Sequence, residues 1–218
     1  MRLVLVGPPG SGKGTQAELL VQRQGLRYIG TGDILREAIR AGTEMGQRVK
    51  PLMDRGLLVA DSEVNEVVAE LFRGENRPER FVTDGYPRTY SQAIAFDALL
   101  TQQALALDAV INLSIPDDEV VRRISGRRCC SKSNCGVCYN VYNRQSMAAG
   151  KCDKCGSPLV LRDDDQEETV RRRLGEFHKN TDALIDHYRK RGLLREVSAT
   201  EPVETIYENI LKAVKRPA

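Results

Sequence analysis

The stretch GPPGSGKGT, residues Gly7–Thr15, decides the fold of this 218-residue chain. It follows LVLV (Leu3–Val6), an apolar run typical of a buried parallel strand, and it leads into a helical pattern over Lys13–Gln24. Glycines in such a loop let successive N–H groups point at phosphate oxygens, and the start of the following helix adds positive potential. The order of strand, glycine-rich loop and helix predicts a phosphate-binding loop; the alternative is a flexible turn with a solvated lysine.

One position in this loop departs from the usual motif. Ser or Thr normally follows the lysine and ligates Mg²⁺ through its hydroxyl, whereas here Gly14 follows Lys13 and Thr15 comes one residue later. We therefore expect Mg²⁺ to be held through water and a carboxylate elsewhere. The candidate is Asp84, at the end of an apolar strand that contains Phe81 and Val82.

Strand and helix patterns alternate along most of the chain. Short strands are expected in RYIG, FVTD, DAVINLSI and REVSA, each separated from the next by helical segments. This alternation predicts an α/β fold, a parallel sheet with helices on both faces. Residues 30–59 and the cysteine block interrupt it and are interpreted as insertions. Thr31 is expected to cap the helix over Ile34–Arg40.

The composition is that of an ordinary globular protein, with 41% hydrophobic and 29% charged residues. A net charge of +3 gives no support for a dedicated nucleic-acid or membrane binder. The N-terminal apolar run is too short for a secretory signal, and no run approaches the roughly 18 apolar residues of a membrane span. We therefore expect a cytoplasmic protein.

The sequence offers arginines for phosphate chemistry and few general bases. An acceptor that is itself a phosphate is already ionised and needs no base, which fits a chain whose two histidines, His178 and His187, are interpreted as surface residues of one helix. Arginine forks bind phosphate oxygens bidentately. Six arginines are predicted at non-helical or junction positions: Arg36, Arg88, Arg123, Arg127, Arg162 and Arg173.

Five stretches together resemble the adenylate kinases, which interconvert ATP plus AMP with two ADP. They are GPPGSGKGTQA, TGDILR, DGYPRTYSQA, GRR and RDDDQEETVRRRL, and they span residues 7 to 174 in the order and spacing of that family. The resemblance implies a three-layer P-loop fold with a five-stranded parallel sheet. It also implies three parts: a core of residues 1–29, 60–125 and 166–218, an AMP-binding insertion at 30–59, and a zinc-ribbon-like lid at 126–165.

The resemblance also implies roles for individual residues. ATP contacts are expected from Gly10, Ser11, Gly12, Lys13, Gly14, Thr15, Arg127, Cys138, Tyr139 and, through its backbone, Glu201. AMP contacts are expected from Thr31, Arg36, Leu57, Leu58, Val59, Gly85, Tyr86, Pro87, Arg88, Gln92, Arg162 and Arg173. The catalytic set is expected to comprise Lys13, Asp84, Arg88, Arg123, Arg127, Arg162 and Arg173. Asp164 and Asp165 match hinge aspartates of the lid, and Tyr86 stands where phenylalanine is commoner.

All six cysteines lie between residues 129 and 155. CDKCG (Cys152–Gly156) is a strong zinc-knuckle pattern, while the first knuckle is ambiguous between Cys130 with Cys135 and Cys135 with Cys138. Glycine follows Cys135 as it follows Cys155, and the lid pattern of the family aligns with Cys130 and Cys135. We therefore expect structural Zn²⁺ on Cys130, Cys135, Cys152 and Cys155. Cys129 and Cys138 are left as unligated thiols in a reducing compartment, with Cys138 near ATP.

The sequence therefore predicts a monomeric, Mg²⁺-dependent adenylate kinase that binds ATP, AMP and ADP but neither nucleic acid nor membrane. The first alternative is a kinase of another nucleoside monophosphate, because the pocket around Thr31 and Gln92 favours adenine without excluding GMP or UMP. The second is a nucleotide switch or nucleic-acid-binding protein that reads its target with the zinc ribbon. Against it stand the low net charge, the few aromatic residues in the ribbon and the lack of an NKxD-type guanine motif.

Overall fold

Five strands pair in parallel to form the central sheet of the computed structural model, which describes residues 1–73, 76–132, 135–142 and 144–215. In chain order the strands are β1 (Arg2–Val6), β2 (Arg27–Gly30), β3 (Phe81–Asp84), β4 (Ala109–Ser114) and β8 (Leu194–Ser198). Their spatial order is β2-β3-β1-β4-β8. The predicted α/β fold with a five-stranded parallel sheet is confirmed.

Eight α-helices connect and cover the strands within the described part of the chain, and Asp163–Asp165 form a 3-10 helix. The α-helices are α1 (Lys13–Gln24), α2 (Thr31–Arg40), α3 (Glu44–Asp54), α4 (Asp61–Arg73), α5 (Tyr90–Gln102), α6 (Asp117–Ser125), α7 (Glu167–Lys190) and α8 (Val203–Lys215). None of the helices described is both long enough and apolar enough to cross a membrane.

Alternating residues of the strands build two apolar cores, one on each face of the sheet. On β1, Leu3 and Leu5 belong to the core that includes residues of α1 and α8. Val4 and Val6 belong to the other core, which includes residues of α4, α5 and α7. Because successive side chains of a strand point to opposite faces, a strand buried on both faces is apolar throughout. The carboxyl ends of all five strands meet at one edge of this sheet, where ligands bind in folds of this class.

The expected cap of α2 is wrong. The helix begins at Thr31 itself, its N-cap is Gly30, and no side chain caps it. The Thr31 hydroxyl instead donates to the backbone oxygen of Gly85 at 2.8 Å. Thr31 therefore joins the ends of two neighbouring strands, β2 and β3, a contact between residues distant in sequence that a local capping pattern cannot reveal.

Residues 126–165, called the cysteine segment below, form a separate antiparallel sheet. Strand β5 (Arg127–Cys130) pairs with β6 (Cys138–Asn140) on one side and with β7 (Leu159–Val160) on the other. The buried residues described in this segment are Gly126, Cys129, Tyr139, Cys152 and Asp165. None of them belongs to an apolar core cluster. The cysteine segment thus lacks a hydrophobic core of its own and needs other cross-links for stability.

Candidate functional site

The phosphate loop connects β1 to α1 and presents unpaired donors. Gly10 and Gly12 have φ values of +78° and +92°, which glycine adopts without steric cost. A Cβ on Gly10 would also lie 2.8 Å from Cγ1 of Ile124. The fully buried Ser11 hydroxyl has no hydrogen-bond partner among the described residues, and no side chain caps the start of α1. An unpaired hydroxyl and free N–H groups at a helix start fit a bound phosphate.

Lys13 folds over the loop in this structure. Its Nζ donates to the backbone oxygens of Gly7 at 2.7 Å and Pro8 at 2.8 Å. Burial in the cleft, opposed by the carboxylate of Asp84 and reinforced by nearby arginines, lowers the pKa of Lys13 to about 8. Phosphate oxygens would offer this ammonium stronger partners than two neutral carbonyls.

One cleft of about 1140 Å³ contains the phosphate loop and all six predicted arginines. The prediction that the arginines occupy non-helical or junction positions is wrong for two of them. Arg36 and Arg173 lie inside α2 and α7, whereas Arg123 lies in the last turn of α6, next to the junction with the cysteine segment. A guanidinium on a long side chain reaches the cleft from within a helix, so the site does not depend on loop positions.

The acidic run RDDD positions several of these arginines. Arg127 Nε donates to Asp165 Oδ2 at 2.7 Å, and a second bond joins Arg127 Nη2 to Oδ1 of this fully buried carboxylate. Asp164 Oδ2 accepts from Arg173 Nη1 at 3.0 Å and lies 3.8 Å from Arg36 Nη1. Burial alone would raise the pKa of Asp164, but Arg173 and Arg36 hold it below its usual value. Asp164 therefore stays ionised and joins two of the predicted phosphate ligands.

Positive charge nevertheless exceeds negative charge in the cleft. Burial, together with the charges of Arg36 and Arg127, lowers the pKa of Arg162 to about 10. Burial, opposed by the carboxylate of Asp164 and reinforced by the charges of Arg127 and Arg88, also lowers the pKa of Arg173 to about 10. Because like charges crowd one another, an anionic ligand would relieve their repulsion.

A smaller cavity adjoins this cleft and contains many of the residues assigned to AMP. It is lined by Thr31, Arg36, Leu57, Leu58, Val59, Gly85, Arg88, Gln92 and Arg173, with six further residues. Pro87 and Arg162 line the larger cleft, and seven residues are shared between the two cavities. The donor and acceptor halves predicted from the sequence are thus contiguous in space.

The Gln92 side chain, which lines this cavity, is fixed by hydrogen bonds of both its amide oxygen and its amide nitrogen. Its Oε1 accepts from the backbone N–H of Arg88 at 2.7 Å, and its Nε2 donates to Asp61 Oδ1 at 2.8 Å. The other oxygen of Asp61 accepts from the Thr89 hydroxyl at 2.7 Å. These bonds fix the orientation of the amide, and an amide so fixed can present one donor and one acceptor to a base edge.

Tyr86 does not line either cavity. The residue is 1% exposed, its ring packs against Phe96, and its hydroxyl donates to Asn65 Oδ1 at 2.8 Å. It therefore supports the site from behind, and the extra hydroxyl of a tyrosine here is satisfied by an asparagine on α4.

Two carboxylates are available to a hydrated cation beside the phosphate loop. Asp84 ends β3, and a Cβ on Gly14 would lie 3.4 Å from its Oδ2. Asp33 was missed in the sequence, although the signal was present: it closes TGD, three residues beyond Gly30, which pairs in register with Asp84. Carboxylates next to a phosphate site suit Mg²⁺, which retains much of its water.

Four cysteines converge in the cysteine segment. The Sγ atoms of Cys130, Cys135, Cys152 and Cys155 all lie within 4.8 Å of one another. The Cys130–Cys155 and Cys135–Cys152 sulfur separations are 3.4 Å and 3.6 Å. Thiolates about 2.3 Å from one zinc ion stand about 3.8 Å apart in a tetrahedron, so this donor set fits zinc.

The backbone of both knuckles supports the same four ligands. Gly136 and Gly156, which follow Cys135 and Cys155, have φ values of +68° and +71°. Gly156 N–H also donates to the oxygen of Cys152 at 2.7 Å, which closes the second turn. Glycine at these positions therefore meets a conformational requirement of the knuckle turns.

The remaining two cysteines are not free thiols. Cys129 and Cys138, directly opposite each other on β5 and β6, form a disulfide. The expectation of two unligated thiols is therefore wrong, because the strand register that brings them together is invisible in the sequence. Cys138 still lines the cleft, and its Sγ accepts from Arg162 Nη2 at 3.1 Å.

Tyr139 and Glu201 both line the large cleft, as expected of ATP-binding residues. The Tyr139 hydroxyl, however, points to the cysteine cluster. It donates to Cys152 Sγ at 3.7 Å and accepts from the backbone N–H of Asp153 at 2.8 Å. Tyr139 thus connects the cluster to the wall of the cleft.

The chain matches known proteins over nearly its whole length. The sequence model of the family described as Adenylate kinase matches residues 5–193. The chain is 45% identical to the adenylate kinase of Thermodesulfovibrio yellowstonii over 216 residues, 99% of this chain and 100% of that protein. It is also 45% identical to that of Archaeoglobus fulgidus over 96% of each chain, and 44% identical to that of Streptomyces avermitilis over 99% of this chain and 98% of that protein. The chain belongs to the adenylate kinase family.

Proposed function

We propose that this enzyme transfers the terminal phosphoryl group of ATP to AMP, reversibly and by direct in-line displacement, in the arginine-lined cleft at the carboxyl edge of the sheet. The observation that carries this proposal is the contiguity of two anion-binding halves. The phosphate loop opens into the large cleft, and the smaller cavity around Thr31, Leu57 and Gln92 joins it. Two phosphate chains can therefore face each other across the arginines.

The chemistry we assign to these residues is charge neutralisation without a general base. The acceptor phosphate is already ionised, so Lys13, Arg88 and the other cleft arginines need only hold the phosphates in line and stabilise developing negative charge. When bound with ATP, Mg²⁺ supplies further neutralisation at the phosphate oxygens. Asp84 and Asp33 would hold its water ligands. The ATP and AMP contacts assigned from the sequence are proposed unchanged, except that Tyr86 acts from behind the cavity.

We assign three parts to this enzyme, with the boundaries expected from the sequence. Residues 30–59 form the AMP-binding insertion, residues 126–165 the lid, and the rest the core. The paucity of buried apolar residues in the cysteine segment supports a lid that moves as a unit. The four clustered thiols support structural zinc there, since four thiolates leave no position open for catalysis.

We further propose that the enzyme is a monomer, since a single chain supplies every residue assigned to the cleft. A cytoplasmic location remains a prediction of the sequence. The Cys129–Cys138 disulfide makes it worth testing, because disulfides are rare in reducing compartments. Sedimentation of the purified protein checks the first point, and fractionation of the source cells checks the second.

A coupled assay tests the function. ATP is offered with AMP, GMP, CMP or UMP, and we expect AMP to be phosphorylated faster by orders of magnitude. Equal rates with all four would show that Gln92 and its neighbours do not read adenine, which would favour a broader nucleoside monophosphate kinase. Retention on single-stranded nucleic acid at physiological salt, without phosphoryl transfer, would favour the nucleic-acid-binding alternative.

A further inference from the structure

Tyr28 lies next to the two carboxylates of the cleft, although no motif includes it. It precedes the end of β2 and lines the large cleft. Its hydroxyl donates to Asp33 Oδ2 at 2.8 Å and lies 3.5 Å from Asp84 Oδ2. A single hydroxyl thus donates to one of the two acidic groups of the cleft and lies beside the other.

Gly30 makes room for this tyrosine. The backbone of Gly30 has φ −108° and ψ 99°, an extended conformation that any residue can adopt. A Cβ there would nevertheless lie 2.3 Å from the Tyr28 hydroxyl oxygen and 2.4 Å and 2.5 Å from Cζ and Cε1 of its ring. The absence of a side chain at Gly30 therefore leaves room for the Tyr28 ring in this position, and a Cβ there would force the ring to move.

The Asp33 carboxylate has two hydrogen-bond donors, and they define the role of the Tyr28 hydroxyl. Arg36 Nη2 donates to Oδ1 of Asp33 at 2.6 Å, so Tyr28 and Arg36 hold one oxygen each. Because the Tyr28 hydroxyl donates its single proton to Asp33, its oxygen can act toward a ligand in the cleft only as an acceptor.

We propose that Tyr28, with the space left by Gly30, is a positioning residue for the hydrated divalent cation that accompanies ATP. Its hydroxyl fixes the rotamer of Asp33 and accepts a hydrogen bond from metal-bound water beside Asp84. This inference rests on the proposed function in that it assumes that Asp33 and Asp84 face the cation. Because Gly14 offers no hydroxyl to the cation, the Tyr28 hydroxyl would add a neutral acceptor for metal-bound water.

The test measures metal binding apart from turnover. Mn²⁺ is titrated into the full-length protein saturated with a non-hydrolysable ATP analogue, and free Mn²⁺ is followed by electron paramagnetic resonance. We expect Tyr28→Phe, which keeps the ring, to weaken Mn²⁺ binding roughly 3- to 10-fold, as loss of one hydrogen bond would. The metal-free affinity for the analogue and for AMP should stay within about twofold. Tyr90→Phe, an exposed tyrosine outside both cavities, is the matched control and should change nothing.

Two results would overturn the proposal. One is unchanged Mn²⁺ affinity in Tyr28→Phe; the other is an equal loss of metal-free analogue binding, which would show a general structural role. Gly30→Ala should reproduce the loss by displacing the ring, whereas adding it to Tyr28→Ala should cost nothing further. A Gly30→Ala protein with wild-type Mn²⁺ affinity would contradict the packing argument. Wild-type phosphorylation of AMP, measured in parallel, shows separately whether the proposed function holds.

Discussion

Arg88 is a single side chain that lines both cavities. Its Nε donates to the oxygen of Gly85 at 2.9 Å, and its position in the cleft lowers the pKa of its guanidinium through loss of solvation. A cation fixed in place and partly desolvated stabilises transferring phosphoryl charge more strongly than one in water. We expect Arg88→Ala to lower kcat by roughly 100- to 1000-fold, the range found when one preorganised charge-stabilising donor is removed.

A steady-state assay with saturating ATP and AMP measures this effect. The matched control is Arg73→Ala, which removes an exposed arginine that pairs with the exposed Glu66 on its own helix and lines neither cavity. Its rate should stay near wild type. If Arg88→Ala falls by less than about tenfold, the charge-stabilising role assigned to Arg88 is wrong.

Lys13 gives the site a pH dependence of predictable sign. In the ligand-free protein its pKa is lowered to about 8, chiefly by burial, so the ammonium loses its proton as the pH rises through 8. Phosphate oxygens favour the charged form and raise the pKa again on binding. ATP binding should therefore take up a proton at about pH 8.5 and none below pH 7, and affinity should fall as the pH rises above 8.

Calorimetry in two buffers of different ionisation enthalpy measures this proton uptake. Nucleotide phosphates are already ionised at pH 8.5 and contribute no proton of their own. Lys13→Met should abolish the uptake while the protein stays folded. Proton uptake that persists in Lys13→Met would assign the titration to another group.

At the scale of the element, the stability of the cysteine segment depends on which four of its six sulfurs bind zinc. Cys130 lies in the four-sulfur cluster, whereas Cys138 is joined to Cys129. We expect Cys130→Ser to lose bound zinc, because three thiolates form an incomplete site. The matched control is the double variant Cys129→Ser, Cys138→Ser, which should keep one zinc per chain in elemental analysis. Loss of zinc in the double variant alone would show that the cluster is assigned to the wrong sulfurs.

Thiol counts test the other half of this assignment. In unfolded, chelated protein without reductant, four thiols should react, those of Cys130, Cys135, Cys152 and Cys155. After reduction, all six cysteines of the sequence should react. Six reactive thiols before reduction would show that the β5–β6 disulfide is absent from the purified protein.

For the whole molecule, the sequence predicted whatever depends on local pattern. The phosphate loop could be predicted because its strand, loop and helix are contiguous in the sequence. Helix α1 begins and ends at the predicted Lys13 and Gln24. Contacts between elements that are distant in the sequence could not be predicted in this way. Thr31 bonds Gly85 across two strands, Cys129 meets Cys138 only through the β5–β6 register, and Asp33 approaches Asp84 only because β2 neighbours β3. Such contacts arise from tertiary pairing, which no window of a single sequence contains.

The division of apolar residues across the molecule predicts where the protein opens first. The central sheet lies between two large cores, whereas no described residue of the cysteine segment belongs to a core cluster, and sulfur cross-links hold the segment together. Local opening costs least where little apolar surface is buried. In native-state hydrogen exchange, amides of β5 and β6 should therefore exchange much faster than those of β1 and β4.

Chelation of the metal should speed exchange in β5 and β6 further and leave β1 and β4 unchanged. Reduction should add to the effect of chelation, because the disulfide is an independent cross-link. Equal acceleration in both sheets would mean that the cysteine segment and the core unfold as one unit, and that its sulfur cross-links stabilise the whole protein and not a separate lid.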